Sequence, residues 1–256
     1  MATLLGAGNA HIASARDLLH KKGRRERGRF IFEGATLLRE AVESGTSVEE
    51  LYVTAEAYRE SALVRELERS GIPTFLLAGR AFAKISDVES PSGIAAIAPL
   101  ALAGLPAILQ DPGIVLLLAD LNDPGNAGTL LRSAEAFGIT RVIFGNSGVD
   151  PYHPKVVRGA MGATFRLAQA VAAPADVRAA AAGWSVLGTA PGGEPIGSVA
   201  WPERTLLVVG HERAGLGAWA ALCDRLTSIP MAGRAESLNA AVAGSVALYE
   251  ATKRPP

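Results

Sequence analysis

Three polar groups in the second half of this chain have the residue types and spacing to do chemistry. The first lies in Asp123-Pro-Gly-Asn-Ala-Gly-Thr-Leu-Leu-Arg132. Asn126 reads there as an N-cap that accepts from first-turn N–H groups. Gly128, Arg132 and Glu135 then share one helical face, while Leu130, Ala134 and Phe137 share a second, which is core. A glycine one turn from an arginine lets a ligand approach closely and meet a guanidinium. Taken alone, the segment reads first as a capped surface helix with a solvated arginine.

The second group follows Leu206–Val209, an apolar run that breaks at Gly210 into a loop with His211, Glu212 and Arg213. Glu212 either orients a ligand or a partner's arginine, or is a surface carboxylate. The third is Ile229-Pro230-Met231, which breaks at Gly233 and leads to Ser237, Leu238 and Asn239. Ser237 reads as an N-cap with Asn239 in the first turn, and Ala240, Ala241, Ala243, Gly244 and Ala247 make a thin helix that packs tightly. Two strand ends and one helix start leave backbone polar groups unpaired, which suits a polar ligand. Leu238 beside them gives a mixed lining for a ligand both aromatic and polar.

Cations form the next group. Lys155 and Arg158 lie three apart on a helix predicted over 153–161, a natural phosphate clamp. His153 beside them is a base or, flanked by prolines, a turn residue. The net charge is zero, yet residues 1–34 hold seven Lys/Arg against three carboxylates, a local +4 on an acidic body. Lys21, Lys22, Arg24, Arg25 and Arg29 within that segment read as an RNA phosphate-docking patch or as a solvated helix end. No phosphate-binding loop, strand-linked dinucleotide fingerprint, paired-cysteine motif or zinc-protease helix occurs. Four His and one Cys are too scattered for a metal site.

The elements that must hold these groups fall in two sets. Strands are predicted at 29–33, 51–53, 71–77 and 94–98, with helices over part of the first thirty residues, at 35–43 and at 58–70, as in a small α/β domain. Residues 99–113 mix proline, glycine and apolar residues as a linker would. Ile114–Ala119 is an unbroken apolar run suited to a strand buried on both faces. A helix at 127–137, strands at 141–145, 185–189 and 206–209, a helix at 177–182 and the C-terminal helix complete a parallel sheet with helices on both faces. The domains are placed at 1–105 and 106–256. One cysteine fits a reducing compartment, no apolar run reaches the ~18 residues of a membrane span, and the expected location is the cytoplasm.

Taken in this order, the motifs are specific. Asn126-x-Gly128-x-x-x-Arg132 with Phe137-Gly138, Gly210-x-Glu212-x-x-Gly215-Leu216, and Ile229-Pro230-Met231-x-Gly233-x-x-Glu236-Ser237-Leu238-Asn239 resemble the three motifs of the SpoU (TrmH-type) RNA 2′-O-ribose methyltransferases of the SPOUT superfamily. The first half, with Phe30-Ile31-Phe32-Glu33-Gly34, is similar to the substrate-binding domain of ribosomal RNA members. The resemblance implies a C-terminal trefoil knot and a homodimer in which two subunits complete each site. It also implies S-adenosylmethionine held by Thr189, Ala190, Gly210, Ile229, Pro230, Met231, Ser237 and Leu238. Asn126, Arg132, Glu212, Ser237 and Asn239 would line the reacting centre. Met161 stands where a small residue is common, and Arg213 where glycine is frequent. The implied reaction is 2′-O-methylation of structured RNA, ribosomal before transfer RNA. A resistance methylase, or a non-catalytic RNA-binding or ribosome-assembly protein on the same fold, are the competing readings. The family proposal makes the arginine a base; because guanidinium holds its proton, Arg132 is read instead as stabilising the developing alkoxide or pinning the adjacent phosphate, with the proton lost to solvent or relayed.

Overall fold

Residues 2–6, 8–211, 213–234 and 237–253 are described by the computed structural model. In chain order the first elements are β1 (Thr3–Leu4), α1 (Ala10–Asp17), α2 (Lys21–Arg27), β2 (Arg29–Glu33), α3 (Ala35–Glu43) and β3 (Glu50–Thr54). Then come α4 (Ala55–Glu60), α5 (Ala62–Arg69), β4 (Thr74–Leu77), α6 (Gly79–Phe82), β5 (Ile94–Pro99) and α7 (Leu105–Ile108). The chain continues through β6 (Gly113–Leu118), α8 (Pro124–Ala136), β7 (Arg141–Gly145), α9 (Pro154–Ala160), α10 (Ala163–Arg166) and β8 (Ala168–Ala172). It ends with α11 (Pro174–Ala180), β9 (Ser185–Pro195), β10 (Arg204–Val209), a 3-10 turn at Gly217–Leu222, β11 (Arg225–Ser228) and α12 (Ala240–Thr252).

Two units result, Met1–Leu100 with Tyr152–Phe165, and Ala101–Pro151 with Arg166–Pro256. In the first, the sheet order is β1-β4-β3-β5-β2, with β5 antiparallel to both neighbours. Strands alternate faces, so Phe30, Phe32, Leu51 and Val53 feed one core cluster while Ile31 and Tyr52 feed the other. The single helix expected at 58–70 is two, because Ser61 leaves helical ψ and its hydroxyl accepts from Val64 N to start α5. Lys155 and Arg158, on α9, belong to this unit and not to the large sheet.

In the second unit all six strands are parallel, in the order β11-β9-β10-β6-β7-β8. Val115 and Leu117 of β6 pack in one cluster, Leu116 and Leu118 face the other way, and all four are buried. That double burial is what the unbroken apolar run predicts. The strands β8 and β11 were not legible in the sequence; Ala-Gln-Ala-Val-Ala and Arg-Leu-Thr-Ser become strands only through the ladders that β7 and β9 offer them. Behind the sheet α8 and α12 lie close together. A Cβ at Gly244 would press on Leu130 and Val209, and Ser133 and Ser245 share a 2.7 Å hydroxyl bond. The 99–113 segment is partly helical and is fastened to the unit. Arg141 and Arg204 donate to carbonyls of residues 108–112 and flank the Trp184 ring at 5.7 and 5.6 Å.

Candidate active site

The carboxyl ends of adjacent strands β11, β9, β10 and β6 bring the three groups of chemical residues to one end of the large sheet. Each strand leaves it differently. Along β9 the ladder with β11 passes from Gly188, paired with Leu226, to Glu194, paired with Thr227. Residues 189–193 therefore bulge out of the pairing within β9, with Thr189 Oγ1 donating to Val208 O at 3.1 Å. After β10, His211 and Gly215 exchange both backbone hydrogen bonds, at 2.8 and 2.9 Å, and close a five-residue loop. His211 Nδ1 accepts from Arg213 N and Ala214 N, which fixes the loop from inside. Glu212 and Glu236 lie outside the described residues.

The helix starts differ from the sequence expectation, and the difference joins the site. Asp123, not Asn126, caps α8, its carboxylate accepting from Asn126 N at 2.8 Å while Pro124 takes the first helical position. Asn239, not Ser237, caps α12, with Oδ1 accepting from Ala241 N and Val242 N. Because Oδ1 is committed to the cap, the Asn239 amide must present Nδ2 outward, and it donates to Asn126 Oδ1 at 3.0 Å. Asn126 and Asn239, predicted from separate motifs, thus meet directly. A second bridge pairs the Asn122 amide with the His211 ring at 3.1 Å. Asn122 was not singled out from the sequence, where only its place in a polar loop after an apolar strand marked it.

The other predicted residues are placed as follows. Arg132 is exposed on α8, six positions beyond Asn126. Thr189, Ala190 and Gly210 are half-buried at the strand ends. Ile229 is half-buried, Pro230 and Ser237 are exposed, and all lie in coil, as do Met231 and Leu238 at 42 % and 38 % exposure. Two large apolar side chains left open beside loop backbone are the mixed lining that an adenosine carrying a sulfonium-linked amino-acid chain would cover. The residues present fit S-adenosylmethionine on that ground. Among the described residues no three His, Cys, Asp or Glu gather as metal ligands, and no helix is long and apolar enough to cross a membrane.

The cationic predictions need one correction. Arg24 is 1 % exposed and cannot meet RNA phosphates, because its Nη1 donates to Leu18 O and Leu19 O at 2.9 and 3.0 Å, satisfying carbonyls at the end of α1. Gly23 makes this possible, since any Cβ there would collide with the Asp17 carbonyl. Arg29 is ion-paired to Glu49 and Glu50 at 2.7 and 3.3 Å, and Arg158 to Asp87 at 2.7 Å. Lys21, Lys22, Arg25 and Lys155 are exposed. Tyr52 donates to Glu50 at 2.6 Å; burial first, then the carboxylate, holds its phenol well above the usual range, so it remains a donor.

Cys223 packs where the site's β9 strand turns, its Sγ against Gly188. Burial, reinforced by Asp224, pushes the thiol up to about 11. We expect iodoacetamide at pH 7.5 to label native Cys223 roughly a hundredfold more slowly than an ordinary thiol of pKa ≈ 8.5. Labelling at the same rate before and after unfolding would contradict this environment.

Comparison with known proteins places these features. The model of the SpoU rRNA Methylase family matches residues 113–249, and that of the MRM3-like substrate binding domain matches residues 9–96. The chain is 32 % identical to the 23S rRNA (guanosine(2553)-2′-O)-methyltransferase RlmP of Bacillus subtilis, over 97 % of this chain and 98 % of that one. It is 34 % identical to the 23S rRNA (uridine(2479)-2′-O)-methyltransferase of Streptomyces viridochromogenes, over 96 % and 90 %. Among solved structures it is similar to the SpoU methyltransferase AviRb from S. viridochromogenes in complex with AdoMet, with TM-score 0.86, 32 % identity and coverage of 96 % and 97 %. The AdoMet-bound rRNA methyltransferase from Sinorhizobium meliloti matches with TM-score 0.86, 28 % identity and coverage of 98 % and 97 %.

Proposed function

We propose, from the premise that this chain belongs to the SpoU rRNA methylase family, that it moves the methyl group of S-adenosylmethionine to a ribose 2′-hydroxyl of ribosomal RNA. The trefoil knot comes with that fold; general topology rules would not have suggested it. The observation that carries the reading is the Asn126–Asn239 bond, which fastens the first turn of α8 to the N-cap of α12 at the ligand end of a parallel sheet.

When bound, S-adenosylmethionine supplies an electrophilic methyl on a sulfonium. The chain's own residues do the rest. The β9 bulge at 189–193 and the segments following β10 and β11 bind and orient the donor through backbone polar groups, with Met231 and Leu238 covering its apolar parts. Ser237, Asn126 and Asn239 line the reacting side, and the motif resemblance assigns Glu212 to it as well. Arg132 stabilises the alkoxide as the 2′-hydroxyl gives its proton to solvent, directly or by relay, or pins a neighbouring phosphate. Lys21, Lys22, Arg25 and Lys155, all in the first unit, steer the RNA by phosphate contacts that carry no sequence information. The residue assignments and the division at 105/106 are part of this proposal.

We assign a homodimer. Val242 and Tyr249, seven residues apart on α12 and about half exposed (50 % and 49 %), leave apolar surface on one face that a second copy would bury, beside the contacts Tyr249 makes with Phe137 and Lys253. The enzyme works in the cytoplasm, where ribosomal RNA is met. To test the reading, the purified protein is incubated with labelled methyl donor and either ribosomal or transfer RNA, and resistance to alkaline cleavage is mapped. A 2′-O-methyl group removes the hydroxyl that cleavage uses, so one protected position in ribosomal RNA is expected. Label in transfer RNA alone would move the substrate, and no label in either would leave a non-catalytic RNA-binding protein.

A further inference from the structure

We propose that Asp120 is a positioning residue of the methyl-transfer site, tying the loop after β6 to two supporting segments through one carboxylate; this rests on the functional reading above. Asp120 sits at φ 51°, in the left-handed region that residues other than glycine seldom occupy. It stands directly past the end of β6, where Ala119 N still bonds Val209 O and Asp120 N turns back to Leu118 O, both at 2.9 Å. The chain is bent there into the 121–123 loop, which leads through Asn122 and the Asp123 cap to Asn126 in the first turn of α8.

A glycine would make that bend without strain, so the side chain requires a reason. Oδ1 accepts from Ser147 N at 3.1 Å, in the loop after β7. Oδ2 accepts from the indole Nε1 of Trp219 at 2.8 Å, in the 3-10 turn that follows the 210–215 loop. Trp219 is 1 % exposed, and a buried indole N–H needs an acceptor. Space has been cleared for the carboxylate. A Cβ at Gly145 would collide with Asp120, and one at Gly148 would lie within 3.0 Å of the Asp120 and Leu121 backbone. Val149 N completes the joint by donating to Leu121 O at 2.8 Å.

Through Asp120 the loops after β6 and β7 and the segment after the 210–215 loop are one assembly. Next to it, the Asn122–His211 pair grips the 210–215 loop itself. Strained residues held in this way belong to sites that must be preorganised. Asp120 touches neither donor nor RNA in this scheme; it fixes the loops that do.

The test measures S-adenosylhomocysteine binding by calorimetry, with far-UV circular dichroism as the check on fold. Asp120→Gly relieves the backbone and removes both acceptors. Asp120→Asn keeps size and left-handed tolerance but leaves one acceptor oxygen for the two donors, Ser147 N and Trp219 Nε1. Both are expected to weaken binding by about tenfold, a small displacement against the ~100-fold that 1 Å of misplacement can cost. In assays, KM for the methyl donor should rise with KM for RNA unchanged. In a Trp219→Phe background, where the donor is gone, Asp120→Asn should cost little more. Wild-type affinity in Asp120→Gly, or fully additive losses in the double variant, would overturn the proposal. Failure of the wild-type protein to bind S-adenosylhomocysteine would instead overturn the functional reading, and this inference with it.

Discussion

Arg132→Ala is expected to lower kcat by about a hundred- to a thousandfold, the range for removing one preorganised group from a developing oxyanion. The side chain is exposed on α8, and that helix is held by Ala127, Leu130, Leu131 and Ala134 beneath it. The thermal midpoint should therefore stay close to wild type, as for surface substitutions generally. A ribose hydroxyl is a poor nucleophile, and the barrier lies in the charge that appears on its oxygen as the proton leaves. A guanidinium lowers that barrier without giving up its own proton, whereas service as a base would demand a deprotonated arginine. Arg132→Lys separates the two roles. A retained cation should keep part of the rate, with a pH profile like the wild type. A new rate dependence that follows lysine deprotonation would support the base. A wild-type rate in Arg132→Ala would remove the residue from the site altogether.

The second large effect is expected at Gly210, where β10 gives way to the loop. Its backbone needs no unusual φ. The constraint is room, since a Cβ would stand 2.6 Å from the carbonyl carbon and oxygen of Gly215 and 2.9 Å from Leu216 N. Those atoms are backbone and cannot swing aside, so Gly210→Ala must push the His211–Gly215 closure open or shift it bodily. Overpacking of this kind costs about 1–3 kcal/mol. It falls on the loop that carries Glu212 and is bonded to Asn122. S-adenosylhomocysteine affinity should fall by about tenfold or more, as expected of displaced binding groups. Gly79→Ala, at the start of α6 in the first unit and with nothing within 4 Å of the added methyl, is the control and should bind normally. Equal affinity in both variants would show that the 210–215 loop does not hold the donor.

These two residues came from sequence by different routes. Arg132 is visible because a helix period puts it on the face opposite Leu130 and Ala134. Gly210 is visible because a β-branched apolar run ends there. Neither inference needs a partner from elsewhere in the chain.

Short-range physics settled most of the large sheet and the order of the motifs. Hydrophobic runs such as Ile114–Ala119 and Leu206–Val209 must be buried strands whatever surrounds them, and glycine, proline and asparagine mark their ends. What the tertiary structure decided are matters of who meets whom. Asp123 outcompetes Asn126 as a cap because Pro124 starts α8, and this frees the Asn126 side chain for Asn239, 113 positions away. Arg24 leaves the basic patch because the α1–α2 corner points its guanidinium at carbonyls, which charge counting along the chain cannot see. The strands β8 and β11 exist because neighbouring strands complete their hydrogen bonds. Asp120 looked like one more polar loop residue until Ser147 and Trp219 were brought to its two oxygens. Burial pattern is written locally, but a hydrogen bond needs both partners, and only folding supplies the second.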